Sequence, residues 1–237
     1  MIRDLPLSSW TEELSKGSSN KYKAVLGEST SIARIAGWTK LYLTNLAKKM
    51  RYNDITRSAV VLDIDDTALT FRNGDYNDPV TIKSIKEVYD LAIKKGFPVY
   101  FVTARLDTHV VENGKIVQNR DITHRELNHL GYTEYENLFL MPQTATRDGK
   151  GISEYKAKAR NQIVKESRID RIVLNIGDRW ADLLLFPDGD RDDGKISAHK
   201  AKTGTLANEL LSRFDSAKYY VGTLPDVSGI SIKLKGR

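Results

Sequence analysis

The sequence predicts an α/β fold, a mostly parallel sheet with helices on both faces. Two observations carry this. From Ser58 onward, short apolar β-branched runs alternate with longer stretches of helical period. Three of those runs also end, on their carboxyl side, in polar residues, at the edge where open α/β sheets keep their ligands.

Residues 1–57 stand apart. They are rich in Ser, Lys and Thr and contain a helix from about Thr30 to Lys49, with Ile32, Ile35, Ala36, Leu41, Leu43 and Leu46 at mostly helical spacing. This stretch is read as a helical N-terminal extension, and residues 58–237 as one domain. Within the domain, strands fall at Ala59–Leu62, Val99–Val102, Leu138–Met141 and Ile172–Ile176. Helices fill about Thr81–Lys95, Ile116–Leu130 and Ser153–Glu166. Gly96 with Pro98 stops the first of these, and Gly131 stops the second. A weaker helix is expected near Leu206–Phe214 and a short strand at Tyr219–Val221.

Composition narrows the chemistry. The 237 residues include no cysteine, which excludes disulfide scaffolds, thiolate metal sites and cysteine nucleophiles. No apolar run approaches membrane-spanning length, so no membrane span is expected. The start, MIRDLPLSSWTEEL, lacks the plan of a signal peptide; the chain is made without one, or one has been removed, and the compartment stays open. Basic residues outnumber acidic ones 37 to 31, yet they are scattered in pairs such as Lys48-Lys49, so no nucleic-acid partner is expected.

The polar strand ends are specific. Val60-Val61-Leu62 leads into Asp63-Ile64-Asp65-Asp66-Thr67, Val99–Val102 into Thr103-Ala104-Arg105, and Ile172–Ile176 into Gly177-Asp178, with Asp182 following. Asp63, Asp65, Asp178 and Asp182 gathered at one edge would repel one another unless a cation neutralised them, and all-oxygen ligands suit magnesium or calcium. A carboxylate beside such an ion can attack phosphorus, with hydroxyls and ammonium groups clamping the transferred phosphoryl. Thr103 supplies the hydroxyl, and Lys156 or Lys158 the ammonium.

DIDDT at 63–67, VTAR at 102–105, YKAKAR at 155–160 and NIGDRWADL at 175–183 resemble the four motifs of the haloacid dehalogenase-like phosphohydrolases. The branch they are most similar to comprises the class B and class C acid phosphatases and the plant vegetative storage proteins. The resemblance covers about Ser58–Leu185, with a fainter echo at Tyr219–Pro225, and implies a Rossmann-like sheet. It also implies a phosphatase with Asp63 as nucleophile and Asp65 as general acid and base. Thr103 and Ala104 would bind the phosphoryl group, and Lys156, preferred over Lys158 because Arg160 follows at the family's spacing, would offset its charge. Mg2+ would sit on Asp63, the backbone carbonyl of Asp65, and Asp178, with Asp182 in support. The intervals Asp65–Thr103 and Thr103–Lys156 leave no room for a large cap domain. An open site facing small phosphorylated substrates is therefore expected, covered if at all by residues 1–57, by the Thr70–Pro79 loop, or by a partner subunit in a homo-oligomer.

Alternatives within and beyond this class are a 5′-nucleotidase-type preference and a non-catalytic storage or binding protein on the same scaffold. A phospho-receiver domain is disfavoured, because Lys156 precedes the last acidic pair. Neither a P-loop nor a dinucleotide glycine motif is present. Asp188–Gly194 is read as an acidic surface loop, since the sixth and twelfth positions of a calcium loop would be Asp193 and His199. His124 and His129 lie off a common helix face, so they make no zinc pair. His109 is read as a loop residue and Trp180 as packing on the sheet. Arg72, Asp75 and Tyr76 are candidate substrate contacts, though Asn73-Gly74 is equally a plain turn.

Overall fold

The computed structural model describes residues 31–72, 75, 78–166, 168–183, 220–224 and 227–234. The expectations placed on Tyr76, Asp188–Gly194 and Leu206–Phe214, and on the side chain of Trp180, lie outside the described residues.

Helix α1 (Ser31–Lys49) and a short turn of helix, α2 (Tyr52–Ile55), lead into the central strand β1 (Ser58–Leu62). A two-stranded flap, β2 (Leu69–Phe71) with β3 (Pro79–Thr81), precedes α3 (Lys83–Lys94) and the long strand β4 (Val99–Asp107). A hairpin, β5 (His109–Glu112) and β6 (Lys115–Gln118), separates β4 from α4 (Asn119–His129). Then come β7 (Asn137–Pro142), α5 (Gly149–Glu166) and β8 (Arg171–Gly177), followed by a 3-10 turn at Trp180–Asp182. Strands β9 (Tyr220–Leu224) and β10 (Val227–Lys233) close the described chain.

The main sheet runs in the order β7-β4-β1-β8-β10-β9. All neighbours are parallel except β9, which pairs antiparallel with β10 at the edge. The strand order reverses at β1, so its carboxyl end opens at the switch point between β4 and β8.

Alternation along the strands explains the two layers of core. Val60, Leu62, Val99 and Phe101 point to one face, where they meet Ile35, Ala36 and Leu43 of α1, Ile85, Val88 and Ala92 of α3, and Leu127 of α4. Ala59, Val61, Tyr100 and Val102 point to the other, under Ala159 and Ile163 of α5. Buried on both sides, β1 has no polar residue between Ser58 and Asp63. Helix α1 belongs to this core: Tyr42 donates its hydroxyl to the Val173 carbonyl of β8 at 3.0 Å. Among the described residues between Asp63 and Asp182 no cap domain is inserted.

Besides the β2–β3 pairing, which brackets the stretch read from the sequence as the Thr70–Pro79 loop, two segments differ from the sequence reading. The helix expected over Ile116–Leu130 begins only at Asn119, and residues 109–118 form the β5–β6 hairpin. Its turn is Asn113-Gly114, both with positive φ (51° and 75°), the backbone a two-residue hairpin turn needs to match strand twist. Val111 and Ile116 are directly paired across it and stay exposed, so their apolar character reports strand pairing rather than a buried helix face. The second difference is β10, a parallel strand absent from the sequence reading. Its Gly229 lies so close to β8 that a Cβ there would come within 2.0 Å of the Val173 carbonyl oxygen.

Candidate active site

The three strands that end in polar residues are neighbours in the sheet, β4-β1-β8, so their carboxyl ends converge. Asp63 leaves β1 with its N–H donated to the Ile176 carbonyl of β8 at 2.9 Å, which locks its backbone to the neighbouring strand. The chain then turns sharply: Ala68 and Leu69 both return their N–H groups to the Ile64 carbonyl, and Asp66 takes a left-handed φ of 56°. This turn carries Asp65 to the rim, where its side chain is 38% exposed, whereas Asp63 is buried.

Asp178 follows β8 and is buried, as is Asp182. Gly177 makes their proximity possible, because a Cβ at that position would lie 2.2 Å from the Asp182 Cβ. The turn is held from several sides. Arg179 donates its backbone N–H to Asp182 Oδ2 at 2.8 Å, and Asn175 donates Nδ2 to the Asp182 carbonyl at 3.1 Å. Arg160, itself buried, donates Nη1 to the same carbonyl at 2.5 Å.

Helix α5 crosses this edge and delivers Lys156, which is 3% exposed. Its Nζ donates to Asp63 Oδ1 at 2.7 Å and to Asp182 Oδ1. Lys158, two positions on and across the helix, is exposed. Thr103 is fully buried on β4 just before its register with β7 shifts, and its Oγ1 accepts the Arg105 N–H at 3.2 Å. Ala104 lies beside it, half-buried.

One carboxylate oxygen from each of Asp63, Asp178 and Asp182 lies within 4.8 Å of the others. One ammonium bridges Asp63 and Asp182, and the exposed Arg179 guanidinium approaches Asp178 Oδ2 at 3.8 Å. Burial, with the charges of Asp182 and Asp65, pushes the Asp63 carboxyl up to about 7 against the opposing pull of Lys156. Burial, then Asp182 and Asp63, pushes Asp178 up to about 8. Burial works against the Lys156 charge, but Asp182 and Asp63 outweigh it and hold the ammonium more firmly than usual. These groups are therefore short of positive charge, and an all-oxygen donor set of this kind fits a hard divalent cation. The Asp65 side chain stands outside the cluster, engaged by Arg105.

Arg105 and its second partner, Glu126, were not among the residues read from the sequence as forming the site. Arg105 donates Nε to Asp65 Oδ2 at 3.0 Å, Nη2 to Asp65 Oδ1 at 2.6 Å, and Nη1 to Glu126 of α4. Burial opposes the Arg105 charge, and Asp65 and Glu126 together overcome it. The available signal was position: Arg105 lies two residues after Thr103 on the same strand, at the carboxyl edge where the site forms. Other candidates fall elsewhere. Arg72 pairs with Asp78 at 3.4 Å, and Asp75 and His109 are exposed. His124, on α4, meets the Tyr135 hydroxyl and stacks on its ring. A cleft of about 630 Å³ opens at the opposite, amino end of the sheet, between Arg57, Pro98, Asn137 and Ile169, and none of the four aspartates lines it.

The sheet with its switch point, three buried aspartates and a bridging lysine defines an α/β protein of the haloacid dehalogenase type. The family model described as HAD superfamily, subfamily IIIB (Acid phosphatase), matches residues 76–208. The chain belongs to that family. The matched span takes in Thr103, Lys156, Asp178 and Asp182 and begins after the Asp63–Thr67 segment. A curated relative, "Acid phosphatase 1" of Solanum lycopersicum, is 27% identical over 158 residues, 58% of this chain and 56% of the relative. The chain thus spans little more than half the length of the curated relative it matches. A crystal structure of an uncharacterized protein from Listeria monocytogenes serotype 4b aligns with a TM-score of 0.36 and 12% identity, over 52% of this chain and 68% of that one.

Proposed function

We propose that this protein is a divalent-metal-dependent phosphomonoester hydrolase working through a phosphoaspartate on Asp63. The observation that carries the reading is Lys156, buried between Asp63 and Asp182 with Asp178 alongside, at the carboxyl end of the central strand. Membership of the acid phosphatase family supports it.

The chemistry follows from what each group can do. Asp63 presents Oδ1 to Lys156, leaving its second oxygen for in-line attack on phosphorus. As the Asp63–phosphorus bond forms, the bond to the leaving alcohol oxygen breaks, and Asp65 gives that oxygen a proton. Asp65 then takes a proton from water, whose oxygen attacks the phosphoaspartate to release inorganic phosphate and restore Asp63. Lys156 and the Thr103 hydroxyl offset the charge on the transferring group. Mg2+ on Asp63, Asp178 and the Asp65 backbone carbonyl would supply Lewis-acid stabilisation of the phosphoryl oxygens. Asp182, whose two oxygens go to Lys156 and to the Arg179 N–H, acts by holding the lysine.

The test is release of p-nitrophenol from p-nitrophenyl phosphate with Mg2+ and with chelator. Asp63→Asn is expected to lower kcat by at least roughly a thousand-fold, since losing a nucleophile removes the covalent route. Equal activity in wild type and Asp63→Asn would sink the reading. Retention of both Asp63 and Asp65 argues against a non-catalytic storage role. A phosphate-release panel of nucleoside monophosphates and sugar phosphates decides whether the substrate class narrows to nucleotides.

A further inference from the structure

We propose that Glu126 is a positioning residue that, through Arg105, fixes the orientation of the Asp65 carboxylate toward the leaving group. The inference rests on the acid role given to Asp65 above, and it assigns a task to two residues that the phosphoryl chemistry does not otherwise use.

The turn after β1 leaves Asp65 at the rim of the site with a partly exposed side chain, free on its own to sample staggered rotamers. Arg105 removes that freedom. Its guanidinium contacts both oxygens of the Asp65 carboxylate, through Nε at 3.0 Å and Nη2 at 2.6 Å, and such a fork sets the plane of a carboxylate as well as its distance. In the acid form Oδ2, at the longer contact, carries the proton while Oδ1 keeps its bond to Nη2. The fork is itself oriented. Arg105 is only 16% exposed, and its remaining arm, Nη1, is taken by Glu126.

Glu126 is in turn fixed by its helix. The neighbouring Leu127 is fully buried in the core, and Arg120, in the first turn of α4, donates to the Leu138 carbonyl of β7 at 2.7 Å and to Asp107 of β4 at 2.7 Å. A rigid helix thus holds Glu126, which holds Arg105, which holds Asp65. Such a chain of contacts keeps a reacting group within the small angular range a proton transfer needs. A solvated surface pair would not require this degree of burial on both partners.

The prediction concerns leaving groups. A good leaving group such as p-nitrophenolate departs with little help, whereas phenolate or an alkoxide needs the proton. In Glu126→Gln, kcat/KM on phenyl phosphate is expected to fall roughly ten-fold, and on p-nitrophenyl phosphate less than about three-fold, since orientation is part of the acid's contribution. Arg105→Lys, which keeps the charge but loses the fork, is expected to behave the same way and carries the comparison if Glu126→Gln does not fold. Placed on Asp65→Asn, the Glu126 change should add nothing beyond about two-fold, because residues acting through one group are not additive. A parallel fall on both substrates, a rise in KM with kcat unchanged, or a further loss in the Asp65→Asn background would overturn the proposal. Asp63→Asn, run alongside, separates this failure from failure of the phosphatase reading itself.

Discussion

One buried ammonium bridging two of three clustered carboxylates sets the character of the site at the level of single residues. Lys156 is useful because it is buried, and it tolerates burial because Asp63 and Asp182 both accept from it. Removing it leaves two desolvated carboxylates facing each other. Lys156→Met is therefore expected to lower the stability of the metal-free protein at neutral pH by about 3–5 kcal/mol, the usual effect of stripping one partner from a buried ion pair. Urea unfolding measures this, and an unchanged midpoint would mean that the ammonium is not compensating Asp63 and Asp182. Asp63, Thr103 and Asp178 were legible in the sequence because each follows a short apolar, β-branched run that, set between helical stretches, reads as a buried strand. The link from Asp65 to Glu126 was not, since it crosses between a turn and a helix face far apart in the chain.

Among the elements, α1 has the largest consequence for how the molecule is described. Its sequence reads as part of a lead-in, yet Ile35, Ala36 and Leu43 are buried in the same cluster as β1, α3 and β4. A fully buried leucine on a true appendage would matter little to the domain. Here Leu43→Ala is expected to destabilise the whole domain by about 2–5 kcal/mol, the transfer loss plus the cavity left behind. A single cooperative unfolding transition shifted by that amount checks it; a separate early transition of α1 alone would contradict it. The hairpin β5–β6 teaches the converse. Its Ile116 and Val117 were counted into the following helix, because a four-residue strand carries too little periodicity to declare itself beside a helix. The Asn113-Gly114 pair was the better signal, since it encodes a turn through backbone conformation rather than through burial.

At the scale of the whole molecule, the site costs stability that a cation can return. Asp63 and Asp178 are raised from the ordinary value of 3.8 to about 7 and about 8. The folded protein therefore binds more protons than the unfolded chain between those limits, and folding stability falls as pH rises through them. Metal-free protein is accordingly expected to show a lower Tm at pH 8 than at pH 5. Millimolar Mg2+ should raise Tm more at pH 8, because the bound ion takes the place of the lost protons. A Tm independent of pH in the metal-free protein, or a larger Mg2+ effect at pH 5, would show that these carboxyls do not titrate as argued.

The sequence by itself determined the α/β class, the strands that end in Asp63, Thr103 and Asp178, and the helix that carries Lys156. These are local properties: apolar period, chain breakers, and polar residues placed just after buried runs. Only the tertiary structure decided which carboxylates share the lysine, that α1 belongs to the core, that β10 completes the sheet beside β8, and that Arg105 and Glu126 stand behind Asp65. Each of those depends on strand order and on which helix face meets which strand. Such pairings bring together residues from distant parts of the chain, and their energy resides in burial and ion pairing that no local pattern records.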